Sequence, residues 1–144
     1  MPQTNNDLGI EILHPENWTL APREDPTSGG VTFDLPGGGF FSIDPTDGDD
    51  EDAIDRLFET TESVIEADYG SVEREPLGSE AARGLYRGED FQFYFLDLII
   101  TSRLMILLGK DRDYAVQIQA EQRDFEKNEE VFGAILAQLL PPRA

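Results

Sequence analysis

The first third of the chain alternates apolar and polar residues in short segments that predict strands. The segment LGIEILHP, residues 8–15, has the period of two expected of a half-buried strand. The segments GVTFDL and GFFSID, residues 30–35 and 39–44, also read as strands, and the turn sequence at 36–39 joins them. A phosphate-binding loop would need a helix after its glycines. A strand follows here, so the glycines predict a hairpin turn.

A helix is predicted after these strands, because apolar or small side chains recur at helical spacing and charged residues occupy the opposite face. The inward set is Ile54, Leu57, Phe58, Thr61, Val64 and Ile65. Gly70 ends the pattern.

The second half of the chain predicts a run of strands. Residues 71–75 form a weak strand pattern, and four stronger ones follow at 82–88, 91–100, 103–109 and 114–121. Their links are short, at 88–90, 101–102 and 110–113. Links of this length favour antiparallel hairpins over crossover connections.

The chain closes with a second predicted helix, which places Phe132, Ile135, Leu136 and Leu139 on one face. This order of elements predicts an α+β fold, with one mostly antiparallel sheet of about six to eight strands and a helix packed on each face. We expect residues 1–7 to form a disordered tail and residues 8–142 a single domain.

Composition narrows the class of protein. The 144 residues include no cysteine, so disulfides, thiolate nucleophiles and zinc–thiolate sites are excluded. The first residues lack the pattern of a signal peptide, and no apolar run is long enough to span a bilayer. The sequence therefore predicts a cytoplasmic protein without a membrane partner.

Charge is the strongest compositional signal, since the formal net charge is −19. Nucleic acid is excluded as a partner because it requires a concentrated basic surface. An acidic, lysine-poor surface fits two other settings, a saline habitat and a protein partner with a basic surface.

The stretch SIDPTDGDDEDAID, residues 42–55, concentrates the acids and has three interpretations: a cation site, a docking surface, or a helix start. An EF-hand loop spaces its acids at alternate positions, and here Ile43, Pro45 and Ile54 break that pattern. A helix start is favoured, with Thr46, Asp47 or Asp49 as the cap and an Asp52–Arg56 pair one turn apart. The acids that form the alternative partner-binding surface are Asp47, Asp49, Asp50, Glu51 and Asp52.

Two single residues raise further candidates. His14 is the only histidine, and without a nearby nucleophile or orienting acid we interpret it as a turn residue before Pro15. Asp97 lies in the most apolar predicted strand, where an unpaired carboxylate would be costly. In such a strand it must be paired, protonated or near the end of the sheet. We expect it to pair with an arginine, either Arg83, Arg87 or Arg103, or to line a pocket between sheet and helix. The candidate pocket residues are Trp18, Tyr86, Tyr94 and Asp97.

The segment Leu13-His14-Pro15-Glu16-Asn17-Trp18, with the order of elements, resembles the PsbP/Mog1-like group, which includes bacterial DcrB-type domains. Pro15 and Trp18 match the group's aromatic-Pro-x-x-Trp element, and His14 replaces the usual aromatic. The resemblance implies an α-β-α sandwich. It also implies a binding or assembly role, since one member supports the oxygen-evolving apparatus and another binds a small nuclear GTPase.

These observations predict a non-enzymatic binding or accessory module, because no arrangement of nucleophile, base and orienter or of metal ligands is visible. We predict no catalytic, metal-binding or cofactor-binding residue. The expected partner is a protein that contacts the acidic surface, and the expected state is a monomer or weak dimer. Two alternatives remain: a secretion-chaperone-like acidic protein, and a small-molecule-binding or enzymatic domain that uses the sheet–helix pocket.

Overall fold

The structure is a computed structural model that describes residues 2–23, 29–109 and 112–140. Within those residues the chain forms nine strands, three α-helices and a short 3-10 helix at Ser79–Ala81. The strands are β1 Gln3–Asn5, β2 Ile12–His14, β3 Thr19–Leu20, β4 Val31–Asp34, β5 Phe40–Thr46, β6 Glu73–Pro76, β7 Leu85–Phe95, β8 Leu98–Leu108 and β9 Asp113–Glu121. The helices are α1 Glu51–Tyr69, α2 Gln122–Lys127 and α3 Glu129–Ala137.

Seven of the strands form the central sheet, in the order β3-β4-β5-β9-β8-β7-β6. Every pairing between neighbours in this order is antiparallel. The chain is therefore an α+β protein with an antiparallel central sheet, as the sequence predicted.

Each face of the sheet is covered by helix. Helix α1 packs on one face, where its buried residues Ile54, Phe58 and Ile65 meet strand residues such as Phe91 and Leu104. Complete burial of a side chain like Phe58 contributes about 1.5–3 kcal/mol. The helical pattern predicted the buried positions Ile54, Phe58 and Ile65 correctly, but Val64, also predicted to face inward, is exposed.

The opposite face carries the larger core. Helices α2 and α3 cover it through Phe125, Phe132 and Ile135, and the separate β1–β2 ribbon adds Ile12. Helix α2 was not predicted, because it is only six residues long and a run of that length shows little periodicity. The sandwich is complete, with helix, sheet and helix in three layers.

The prediction for the longest strands was wrong. We expected residues 91–100 to form one strand and 101–102 a link, but β7 ends at Phe95 and β8 runs from Leu98 to Leu108. The predicted link residues Thr101 and Ser102 are buried inside β8. The predicted link at 88–90 likewise lies within β7. Two long strands therefore replace three shorter ones.

The start of the chain also differs from the expectation. Residues 1–7 were predicted to be disordered, yet Gln3–Asn5 form β1 and pair with β2. Asn5 is buried, and its side chain donates a hydrogen bond of 3.0 Å to the Asp7 carboxylate. Polar side chains satisfy one another here, so a segment without apolar residues still forms a strand. The predicted domain end at 142 lies outside the described residues.

The turn between β4 and β5 matches its prediction. Gly38 has a φ of +97°, which favours glycine, and a Cβ at Gly39 would collide with the backbone oxygen of Gln119 on β9. The structure therefore explains why glycine occupies two of the three glycine positions in this turn. Among the described residues, no helix combines the length and apolarity that a membrane span needs.

Candidate functional site

The acidic segment, residues 42–55, covers the end of β5, the loop at 47–50 and the start of α1. Asp50 caps this helix, and its carboxylate accepts a hydrogen bond of 3.0 Å from the backbone N–H of Ala53. Asp47 accepts one of 2.9 Å from the N–H of Asp49. The helix-start interpretation is supported, but the cap is Asp50 and not Thr46, Asp47 or Asp49.

The remaining acids of this loop have no structural task within the described residues. Asp49, Glu51 and Asp52 are exposed and form no ion pair there. The predicted Asp52–Arg56 pair is not formed. No group of three potential metal-ligating residues occurs in the described parts of the chain. We call Asp47, Asp49, Asp50, Glu51 and Asp52 the acidic end.

The middle of α1 is different, because arginines from the sheet neutralise its acids. Arg74 on β6 forms ion pairs with Glu59 at 2.9 Å, Glu62 at 3.0 Å and Glu89 at 2.6 Å. The hydrogen bond to Glu89, followed by those to Glu59 and Glu62, raises the pKa of Arg74 above its ordinary value. Arg87 pairs in the same way with Asp55.

A further arginine lies on the opposite face of the sheet. Arg103 forms hydrogen bonds of 2.8 and 3.0 Å to Asp90, and its guanidinium lies 4.8 Å from the ring centre of Phe125. Burial lowers the pKa of Arg103, but the hydrogen bond and charge of Asp90 raise it more. Two of the arginines expected to pair with Asp97 therefore pair with other acids.

Asp97 does not lie in a central strand. It occupies the two-residue turn between β7 and β8 together with Leu96, and both residues have positive φ, 66° and 50°. The side chain of Asp97 is exposed. Its carboxylate therefore escapes the burial cost that motivated the pairing prediction.

The predicted pocket of Trp18, Tyr86, Tyr94 and Asp97 is not assembled. Tyr86 and Tyr94 lie eight positions apart on β7, which separates them by about 26 Å along an extended strand. Trp18 packs on the α2–α3 side of the sheet. These residues were predicted to share one pocket. The long β7–β8 hairpin instead holds them far apart.

The tip of the β7–β8 hairpin was missed as a candidate. It exposes consecutive large apolar side chains, with Tyr94 at 70% and Leu96 at 79% exposure. The full set, which we call the apolar tip, is Tyr94, Phe95, Leu96, Leu98 and Ile99. A group of exposed large apolar side chains at one hairpin tip is typical of a contact surface.

His14 and Trp18 have packing roles. The His14 ring lies 4.6 Å from that of Phe33, and its Nδ1 is 2.9 Å from the carbonyl oxygen of Pro15. Trp18 packs among Phe33, Phe41 and Phe132 with ring centres 5.4–6.1 Å apart. The Pro-x-x-Trp element thus fixes the loop between β2 and β3 onto the larger core.

A cavity of about 360 Å³ opens beside Trp18. Three elements form its walls: the loop after β2, the β4–β5 turn, and the α2–α3 helices. The apolar lining is Pro15, Trp18, Leu35, Pro36, Val131 and Phe132, and the polar lining is Asn17, Asp124, Lys127 and Asn128. Of the four residues of the predicted pocket, Trp18 is the one that lines this partly open cavity.

No family model matches the chain, and no curated protein matches it. Among solved structures it is similar to cyanobacterial PsbP (CyanoP) from Synechocystis sp. PCC 6803, at 12% identity over 95% of this chain and 89% of that one, with a TM-score of 0.55. It also matches PA94 of Pseudomonas aeruginosa, a protein of unknown function, at 11% identity over 99% of both chains, with a TM-score of 0.49.

A third match is LpqN of Mycobacterium tuberculosis, a protein involved in cell envelope biogenesis, at 10% identity over 94% of this chain and 80% of that one, with a TM-score of 0.37. The layers, the sheet and the match to CyanoP define the class: the chain is an α-β-α sandwich. More specifically, it has the PsbP-like fold that the Pro-x-x-Trp resemblance implies.

Proposed function

We propose that the chain is a non-enzymatic accessory module that binds a protein partner with a basic surface through its acidic end. The observation that carries this proposal is the set of three exposed carboxylates, Asp49, Glu51 and Asp52, which form no ion pair within the described residues. Acids on the same helix that contact the sheet are neutralised by Arg74 and Arg87. These three carboxylates lie within four consecutive positions, so they concentrate negative charge at the start of α1.

An acidic surface of this kind mainly affects how fast and with which partner the protein associates. A concentrated negative potential attracts a positively charged protein, raises the rate of encounter, and selects against acidic partners. Like charges held close together also repel one another, and a basic partner relieves that repulsion. The interaction should therefore weaken as the salt concentration rises.

A stable interface also needs desolvated apolar anchors, and the apolar tip supplies them. Helix α1 links the two regions, since Asp50 caps its start and Tyr69 at its last position stacks on Phe93 at 4.5 Å. Nineteen residues of helix measure about 28 Å. An interface of standard size, about 800 Å² on each partner, spans a comparable distance.

The experiment compares two variants with equal changes in charge. One carries Asp49→Asn, Glu51→Gln and Asp52→Asn at the acidic end. The matched control carries Glu126→Gln, Glu129→Gln and Glu130→Gln on α2 and α3, where these side chains are also exposed. Proteins are captured from lysate of the native organism, and the affinity of any purified captured protein is measured at low and at physiological salt.

We expect the acidic-end variant to lose at least tenfold in affinity at low salt and the control to keep the wild-type value. Equal losses in the two variants would show that only net charge matters and would contradict a defined docking surface. Sedimentation tests the chaperone alternative. A monomer at micromolar concentration supports the accessory module, whereas a stable dimer favours a secretion chaperone.

A further inference from the structure

The Trp18 side chain forms part of the wall of the cavity beside it. Trp18 is 94% buried, since its exposure is 6%, and it lines the cavity. Its indole N–H makes no hydrogen bond within the described residues. Because this nitrogen is not among the fully buried side-chain atoms of the described residues that lack a partner, solvent reaches it.

The polar side of the cavity carries one charge of each sign. Lys127 and Asp124 both line it, and no ion pair within 4.0 Å joins them or links either of them to another described residue. The Asp124 carboxylate makes no side-chain hydrogen bond there either, because the Asp124 backbone makes the local bonds to Glu121 and Asn128. Both charges are therefore available to a ligand.

The remaining walls are apolar and aromatic. Trp18 and Phe132, whose ring centres are 6.1 Å apart, form one side, and Leu35 and Val131 add aliphatic surface. The volume of about 360 Å³ falls at the small end of ligand sites, about 300–1,000 Å³. A ligand of this site is therefore small and has an apolar body.

We infer that this cavity binds a free α-amino acid with an apolar side chain, held as its zwitterion. The carboxylate is bound by the Lys127 ammonium and the amino group by the Asp124 carboxylate, while the side chain lies against Trp18 and Phe132. A simple carboxylic acid would place its negative charge near the Asp124 carboxylate. A simple amine would place its positive charge near the Lys127 ammonium. Only a ligand with both charges satisfies both side chains.

The inference is independent of the acidic end, because Asp124 and Lys127 lie on α2, which covers the opposite face of the sheet from α1. Ligand binding in this cavity can be followed by the fluorescence of a residue in its wall. Trp18 is the only tryptophan of the chain, so intrinsic tryptophan fluorescence follows this cavity alone.

The test titrates the full chain with L-phenylalanine, 3-phenylpropionate and phenethylamine, and follows tryptophan fluorescence together with the heat of binding. We expect L-phenylalanine to bind with a Kd on the order of 0.1–1 mM, the range for a ligand of this size, and to change the fluorescence. The two half-analogues should bind at least tenfold more weakly. Lys127→Met and Asp124→Asn should each weaken L-phenylalanine by at least fivefold, whereas Glu126→Gln, an exposed neighbour outside the cavity lining, should not.

Three outcomes would overturn the inference. The first is no binding of L-phenylalanine up to ten times the expected Kd. The second is equal binding of either half-analogue, since one of the charges would then be irrelevant. The third is heat of binding without a change in tryptophan fluorescence, which would place the ligand elsewhere, for example in the neighbouring groove lined by His14 and Gln138 but not by Trp18.

Discussion

The two ends of the central sheet differ in what they expose. At one end, where Thr46 pairs with Asp113, the chain enters α1 through the acidic end. At the other end, where Phe95 pairs with Leu98, the β7–β8 hairpin presents the apolar tip. Helix α1 runs from the first end to the second.

The difference shows that this chain separates two kinds of exposed surface. Asp49, Glu51 and Asp52 lie at the start of α1, exposed and without an ion pair in the described residues, while the large apolar side chains of the apolar tip are exposed beyond its end. Between them, Arg74 and Arg87 neutralise the acids of the helix.

The substitution Arg74→Met tests the ion pairs that neutralise the middle of α1. Of the substitutions proposed, it should change the free energy of unfolding most. Glu89 has a side-chain exposure of only 13%, and it would lose its closest cation. Loss of one partner from a buried ion pair costs about 3–5 kcal/mol. Arg87 remains 3.5 Å from Glu89, so we expect a loss of about 2 kcal/mol in urea unfolding.

The matched control is Arg56→Met on α1, because Arg56 is exposed and makes no ion pair within the described residues. It should change the free energy of unfolding by less than about 0.5 kcal/mol. A similar loss in both variants would mean that net charge, and not the Arg74 network, sets the stability of the middle of α1.

Replacing the turn of the apolar tip should stabilise the fold. Leu96 and Asp97 both have positive φ, a conformation that costs a residue like leucine about 1–2 kcal/mol. Asn-Gly is the preferred pair for such a turn. The double variant Leu96→Asn, Asp97→Gly should therefore raise the free energy of unfolding by about 1 kcal/mol.

The same variant removes the most exposed apolar side chain of the tip. If the tip is an anchor, binding of a purified partner should weaken although the protein has become more stable. A loss of stability would contradict the turn geometry, and unchanged partner binding would remove the tip from the proposed interface.

A comparison of Asp50→Ala with Asp52→Ala should distinguish the acid that caps α1 from an acid that makes no bond to the helix backbone. Asp50 accepts the hydrogen bond from the Ala53 N–H, and loss of a cap of this kind costs about 1 kcal/mol. Asp52 makes no such bond, so Asp52→Ala should stay within about 0.5 kcal/mol of the wild type. Thermal unfolding at matched salt measures both, and equal losses would contradict the assignment of Asp50 as the cap.

The central fold was predictable from the sequence because periodicity reports burial directly. The stripe through Ile54 and Phe58 and the alternation along β9 both gave correct elements. The hairpin tip was not predictable in this way. Leu-Asp lacks the Asn-Gly signal of its turn type, and the nearly continuous apolar run at 93–100 resembles a central strand.

The sites were harder to predict, because they depend on which residues meet in space. The acids of 42–55 could be found by composition, but their separation into a cap, an Asx turn and free charges depends on where α1 begins. The cavity beside Trp18 brings together the β2–β3 loop and α2, which are about a hundred positions apart along the chain. Only the tertiary fold reveals that Lys127 and Asp124 face the same space as Trp18.

Salt should have the smallest effect on stability, and it tests the acidic end without a mutation. Screening weakens the repulsion among 30 acidic residues opposed by 11 basic ones, so sodium chloride from low to near-molar concentration should raise Tm by a few degrees, on the order of 0.5–1 kcal/mol. The variant with Asp49→Asn, Glu51→Gln and Asp52→Asn should show a smaller rise than its matched control on α2 and α3, because the removed charges lie closest together. Calcium should stabilise no more than magnesium at equal ionic strength, since no group of three potential metal-ligating residues occurs in the described parts of the chain. A falling Tm would contradict the repulsion argument, and a calcium-selective heat of binding in the micromolar range would assign the acidic end to a cation in place of a protein partner.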